Sequence, residues 1–268
     1  MKRGERKGRH MNSYERAVEY WHQQKICDEV QLAETIGGRS IYFAYNSGKI
    51  ENDSITYYDT REIFEHDGVS SYTGDLRTLY EIRNSKVAND YFFYAYKNKL
   101  PLDGVFIREL QKRLTMNTYD SRRWRLGERP GEYRKHDDFT GSDSGGAAPE
   151  SIEAEMAGLL DELKDIDRHN VLTAAAYFLL KFESIHPFSD GNGRTARLAM
   201  DYFLVLNDHP PLIICEEDRK EFYAAIEAWS KAQQLEPMVI FLKAQTAKTW
   251  ERQFDRSRST ASLESFLK

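Results

Sequence analysis

Ile185-His186-Pro187-Phe188-Ser189-Asp190-Gly191-Asn192-Gly193-Arg194-Thr195-Ala196-Arg197 is the stretch on which the reading of this chain turns. The residues before it, Val171, Leu172, Tyr177, Phe178, Phe182 and Ile185, recur at helical spacing. That helix should end at His186, because a residue preceding proline is pushed out of the α region. Gly191-Asn192-Gly193 then frees the backbone to turn its N–H groups inward. A second helix begins near Arg194, with Leu198, Ala199, Tyr202, Phe203 and Leu206 as its core face. The segment is therefore a helix–loop–helix whose loop feeds a helix N-terminus.

A helix N-terminus carries partial positive charge and unsatisfied N–H donors, so acidic residues usually occupy its first turn. Here Arg194 and Arg197 stand there instead, about one turn apart on one face. That arrangement costs stability unless an anion neutralises it, and a local rule broken without compensation points to a functional site. A glycine-rich backbone, a helix N-terminus and two guanidiniums suit a polyphosphate. Asp190 is a hard oxygen ligand of the kind that holds the Mg²⁺ accompanying nucleoside polyphosphates. His186 has a side chain suited to proton abstraction near neutrality. Taken singly, each feature has an ordinary reading: a capping histidine, a turn, two solvated arginines, a capping aspartate. Phe188 is an apolar anchor in either case. The conjunction carries the functional reading.

Working outward, the 268 residues allow one large domain or one domain with a helical extension. Hydrophobic residues make up 40% and aromatics 13%, enough to bury a core. With 38 Lys and Arg against 43 Asp and Glu, the net charge of −5 speaks against nucleic-acid binding by bulk charge. The longest strongly apolar run, 171–180, is too short to span a bilayer. Cys27 and Cys215 make no disulfide framework and read as reduced thiols in a cytoplasmic protein. The basic residues 1–10 read as a leader ending at His10-Met11, or else as a basic arm, and are set aside from the fold. Periodicity predicts helices over 15–36, 41–51, 80–96, 105–114, 150–163, 170–185, 194–206, 219–232 and 238–250. Glycine and proline crowd 119–149, which reads as an exposed hairpin or loop, and 257–265 reads as a polar tail.

The loop resembles the signature of the Fic family, His-x-Phe-x-(Asp/Glu)-Gly-Asn-Gly-Arg-x-x-Arg. All eight specified positions match, a coincidence on the order of 10⁻¹⁰ at ordinary residue frequencies. The resemblance extends over roughly 41–250. It implies an all-α, Fic-type helical domain with a small β-hairpin flap: an N-terminal segment over 11–60, the domain over 61–252 and a tail over 253–268. It also implies a protein adenylyltransferase that moves AMP from ATP to Ser, Thr or Tyr hydroxyls of a target protein. In that reading His186 takes the hydroxyl proton and Asp190 holds Mg²⁺. Gly191, Asn192 and Gly193 cradle the phosphates, and Arg194 and Arg197 hold the β- and γ-phosphates.

Three further stretches resemble family features. Tyr133-Arg134 through Thr140-Gly141 is similar to the flap that docks the target and covers the nucleotide. Phe222-Tyr223 is similar to the paired aromatics that contact adenine, although Ser230 stands where the family commonly has an Asn. Ser47-Gly48-Lys49-Ile50-Glu51-Asn52 matches the inhibitory motif (Ser/Thr)-x-x-x-Glu-(Gly/Asn), on a predicted helix N-terminal to the core. Helical spacing puts Ser47 and Glu51 on one face, and the resemblance implies that Glu51 pairs with Arg197 and blocks the γ-phosphate.

The leading reading is thus an autoinhibited, also self-modifying, protein adenylyltransferase with ATP and Mg²⁺. It is expected to be cytoplasmic, without membrane or nucleic-acid partners, and compatible with self-association. A second reading keeps the fold but removes AMP from a modified protein, with Glu51 activating water. A third is a nonenzymatic nucleotide-binding adaptor, against which the intact His186 and Asp190 argue. The sequence has no P-loop, no Gly-x-Gly-x-x-Gly after a strand and no zinc-ligand spacing.

Overall fold

The computed structural model of the chain describes residues 11–137 and 146–259, with side chains through 251. The described residues form twelve α-helices with short 3₁₀ turns and no strand. The first four are α1 (Ser13–Gln24), α2 (Glu29–Ile36), α3 (Arg39–Glu51) and α4 (Tyr57–His66). Next come α5 (Leu76–Lys97), α6 (Gly104–Thr115), α7 (Ser121–Arg125) and α8 (Ile152–Glu162). The rest are α9 (Val171–Ile185), α10 (Asn192–Leu206), α11 (Arg219–Ala232) and α12 (Glu236–Ser259).

Side-chain caps set many of these starts. Asn12, Asp28, Thr56, Asp75, Asp103 and Asp120 each accept a backbone N–H from the first turn of the helix that follows. The single helix expected over 15–36 is two. Lys25 ends α1 in the left-handed conformation, φ 51°, and Asp28 restarts the chain as α2. Trp21 and Leu32 are buried on either side of the break, so the apolar period ran across it. No helix is predicted over 57–66, where α4 buries only Thr60 and Ile63. α12 runs past the expected end at 250 to Ser259, through residues with no proline or glycine to stop it.

The centre is the α9–α10 pair. α9 buries apolar residues nearly all round, from Val171 to Ile185, and α10 buries a continuous run from Arg194 to Val205. Helices apolar on every side belong in the middle of a domain. Tyr202 of α10 stacks on Phe106 at 4.3 Å and donates its hydroxyl to Leu100 O at 2.7 Å, which fixes α6 against α10. α1 and α12 meet where Trp21 packs edge-on against Trp250 at 5.5 Å. α3 lies over the start of α10 with Ala44, Ser47, Gly48 and Ile50 buried. Gly48 fits there because a Cβ would sit 2.7 Å from Ile55 Cδ1. No helix among the described residues is long and apolar enough to cross a membrane.

In the region read as an exposed hairpin or loop, 119–149, the described residues hold α7 and turns and no strand. The flanks of the expected flap are pinned to the catalytic loop instead: Arg134 N donates to Pro187 O at 2.9 Å and Ala147 N to Ile185 O at 3.0 Å. The tip, with Thr140 and Gly141, lies outside the described residues, as do 1–10.

Candidate active site

α9 ends at His186, as the following proline dictates; its φ of 50° and ψ of 60° are left-handed, and its N–H still closes on Phe182 O at 2.9 Å. Phe188 is fully buried between Phe182 and Tyr133 and anchors the loop. Asn192 staples that loop to itself. Its Nδ2 donates to Phe188 O at 2.7 Å and its Oδ1 accepts from Phe188 N at 2.9 Å. The Asn192 side chain is therefore committed to the loop, leaving its backbone to the cavity. Gly191, with φ 79°, caps α10, and a Cβ there would lie 2.6 Å from Thr115 Cγ2. From below, buried Gln111 donates to Asp190 O at 2.9 Å, and Arg123 donates to Ser189 O through two nitrogens at 3.2 Å.

These elements surround a cavity of about 790 Å³. His186, Asp190, Gly191, Asn192, Gly193, Arg194, Arg197 and Glu51 all border it, together with Phe222 and Tyr223 of α11. Phe222 belongs chiefly to the core, 1% exposed and packed on Phe241, whereas Tyr223 is 42% exposed. Ser230, the departure from the family's Asn, borders the same end of the cavity with Trp229.

The cations of the site are held unequally. Arg194 is 5% exposed and donates only to Asp190 Oδ1, at 3.3 Å; its Nε and Nη1 make no hydrogen bond among the described residues. Buried guanidinium N–H groups left unfilled are costly, and an anion in the cavity would fill them. Arg197, 1% exposed, is held by α3 through two of its nitrogens. Its Nε donates to Ser47 Oγ at 3.0 Å, and its Nη2 donates to Ser47 O at 2.9 Å and Glu51 Oε1 at 2.8 Å. Gly193 makes this approach possible, since a Cβ there would lie 2.4 Å from Glu51 Oε1 and 2.9 Å from Arg197 Nη1.

Electrostatics follow from this packing. Burial, reinforced by the positive charge of Arg134, pushes the His186 imidazole down to about 4, so it is neutral and able to accept a proton at pH 7. Burial alone would raise the Glu51 carboxyl. The charge and hydrogen bond of Arg197, with the charge of Arg194, outweigh it and hold Glu51 below the ordinary carboxylate range. Beside them Glu183, three residues before His186, is pushed up to about 7 by burial and by the charge of Glu51.

Sequence reasoning singled out none of Glu183, Arg77 or Glu81, and named Arg134 only as part of the flap stretch. Glu183 left one trace, a carboxylate inside the apolar run of α9. Arg134 ties the flap flank to the catalytic loop, donating from Nε to His186 O at 2.8 Å and from Nη2 to Ala147 O.

Among the described residues no cluster of three or more His, Cys, Asp or Glu side chains could hold a metal by itself. Asp190 is the one carboxylate of the 186–197 loop, and it borders the cavity. That donor set fits a Mg²⁺ that arrives with phosphates, which takes one or two carboxylates and completes its shell with phosphate oxygen and water.

Residues 101–204, containing α6 through most of α10, match the model of the Fic/DOC family. Over these residues the chain is similar to the Fic/DOC family. The match includes the whole catalytic loop and begins after α3, which the Fic domain model leaves out. Among curated proteins the chain is similar to the protein adenylyltransferase Fic of Nematostella vectensis, 36% identical over 44% of this chain and 28% of that protein. It is also similar to the protein of the same name from Drosophila willistoni, 28% identical over 76% of this chain and 40% of that one. The chain thus spans less than half the length of these relatives. Two solved structures share the fold. A Fic domain containing signaling protein from Bacteroides thetaiotaomicron has a TM-score of 0.73 at 22% identity, over 89% of this chain and 94% of that one. Fic-1 from C. elegans has a TM-score of 0.74 at 21% identity, over 92% of this chain and 74% of that one.

Proposed function

We propose that the chain is a self-restrained protein adenylyltransferase, moving AMP from ATP to a Ser, Thr or Tyr hydroxyl of a target protein and of itself. The observation that carries this reading is the convergence of His186, Asp190, the Gly191–Gly193 backbone, Arg194 and Arg197 on one cavity, with Glu51 bonded to Arg197. Neutral His186 takes the proton of the target hydroxyl while that oxygen attacks the α-phosphorus. The bond from the α-phosphorus to the oxygen bridging to the β-phosphate breaks, and pyrophosphate leaves. The loop amides and the N-terminus of α10 face the charge that builds on the transferred group. Arg194 neutralises the β-phosphate, and Arg197 takes the γ-phosphate once Glu51 releases it. Asp190 would hold Mg²⁺, which when bound neutralises phosphate charge and orients the leaving group.

In this reading 11–60 is the restraining segment, 61–252 the catalytic domain and the flap the docking place of an extended target segment. The free thiols of Cys27 and Cys215 suit a reducing, cytoplasmic setting. The test is incubation with labelled Mg-ATP and intact mass measurement, for the parent and for Glu51→Gly. Nucleotide binding without AMP on any protein, in either form, would reduce the chain to a nucleotide-binding adaptor.

One observation favours the reverse reaction as well. Glu51 faces the same cavity as His186 and is held ionised, as a base activating water must be. Glu51 would then take a proton from water as it attacks the phosphorus of an AMP-modified side chain, the bond from phosphorus to the side-chain oxygen would break, and the proton, relayed through His186, would end on the departing hydroxyl. Free AMP released from modified target without ATP separates this reaction from transfer.

A further inference from the structure

Arg77, on α5, reaches across the cavity to the catalytic loop. Its Nη2 donates to Asp190 Oδ2 at 2.8 Å and its Nε to Glu81 Oε1 at 3.1 Å. Glu81 is 5% exposed, and its other oxygen accepts from Asn52 Nδ2 at 2.8 Å. Asn52 caps α3, immediately after Glu51. Glu81 also lies 3.8 Å from Arg194 Nη1. The loop carboxylate assigned to the metal is therefore occupied by a guanidinium, and that guanidinium hangs from a buried carboxylate tied to the end of the restraining helix.

In the nucleotide-free protein Asp190 has two counter-charges, Arg194 on Oδ1 at 3.3 Å and the closer Arg77 on Oδ2 at 2.8 Å. The Asp190 side chain is only 13% exposed, and an enclosed carboxylate without a counter-charge is costly. A divalent cation and a guanidinium on the same carboxylate repel each other, so the two compete for it. Arg77 can yield, because its side chain is 46% exposed and its Nε anchor on Glu81 survives a swing of the outer nitrogens.

We propose that Arg77 is a cation placeholder: it occupies Asp190 in the resting protein and gives that carboxylate up to the magnesium of an arriving Mg-nucleotide. Arg77 thereby sets the magnesium concentration at which nucleotide binds. The proposal rests on the reading of Asp190 as the metal ligand, and it describes a restraint separate from the Glu51–Arg197 bond.

The test is equilibrium binding of a fluorescent ATP analogue with an uncleavable α–β bridge, as Mg²⁺ is titrated into the full chain carrying Glu51→Gly. In that background Arg197 does not limit binding. Adding Arg77→Gln should lower the half-saturating magnesium concentration roughly two- to fivefold, the range for a half-exposed ion pair. Arg77→Lys, which keeps the charge, should stay close to the Arg77 protein. Asp190→Asn should remove the magnesium dependence. If Asp190→Asn leaves that dependence intact, the metal reading of Asp190 fails and the placeholder with it. If Asp190→Asn removes it while Arg77→Gln leaves the midpoint unchanged or raised, the placeholder alone is overturned. A shift in Arg77→Lys as large as in Arg77→Gln overturns it too, because charge is then not the cause.

Discussion

Replacing Glu51 by glycine should raise adenylyl transfer about ten- to thirtyfold. The perturbation removes one ligand of a buried cation. Arg197 keeps its bonds to Ser47 Oγ at 3.0 Å and Ser47 O at 2.9 Å and loses Glu51 Oε1 at 2.8 Å. A hydrogen bond to a charged group contributes about 1.5–3 kcal/mol. The Glu51 side chain is 37% exposed, so solvent screening favours the low end, about 1.5–2 kcal/mol. At 1.4 kcal/mol per decade that is roughly ten- to thirtyfold in the population whose Arg197 is open to the γ-phosphate. Arg197→Ala should not reproduce the gain, because it removes the phosphate ligand together with the partner of Glu51. The double replacement should behave like Arg197→Ala. The assay is intact mass against time in Mg-ATP for the parent, both singles and the double, with circular dichroism to confirm the fold. An unchanged or lower rate in folded Glu51→Gly would refute the restraint and favour a catalytic role for Glu51 in AMP removal. A double replacement as fast as Glu51→Gly would show that Arg197 is not the contested group.

His186→Ala should lower transfer about 10²–10⁴-fold with nucleotide affinity nearly unchanged; a parental rate of labelled AMP incorporation would remove His186 as the base. Because burial holds His186 at about 4, the acid limb of the transfer rate should lie well below 6.5, and an inflection at the ordinary imidazole value would contradict that environment. His209, buried between Tyr14 and the Pro210 carbonyl, is likewise pushed down to about 4. A group whose folded pKa is depressed stabilises fully above its unfolded value. Urea stability should therefore be highest above pH 6.5 and decline toward pH 4, and His209→Gln should flatten that decline. Phe188→Ala should cost about 3–5 kcal/mol, since Phe188 is fully buried; a loss below about 1 kcal/mol in chemical denaturation would show that Phe188 does not anchor the loop.

The catalytic loop was legible because its rules are local. Proline ends α9, glycine turns the chain, and a helix N-terminus stands beside two arginines, all within thirteen consecutive residues. Most helices were legible for the same reason, their apolar period being wide and continuous. The errors arose where local and tertiary signals part. Helix 15–36 was read as one because Trp21 and Leu32 keep a common period across Lys25, which a left-handed cap interrupts. α4 was missed because it buries too little to show a stripe.

The sequence by itself determined the all-helical class and singled out residues 186–197 as the candidate site. The resemblance of 47–52 to the family's inhibitory motif also implied Glu51 as the partner of Arg197. Only the tertiary structure decided that α3 lies across the start of α10, so that residues 146 apart share one hydrogen bond. It alone turned Asn192 inward to staple the loop, placed Glu183 beside Glu51 and set Arg77, from 113 residues away, on Asp190. Those contacts join side chains from different helices, and their energies depend on burial and charge that no window of sequence contains.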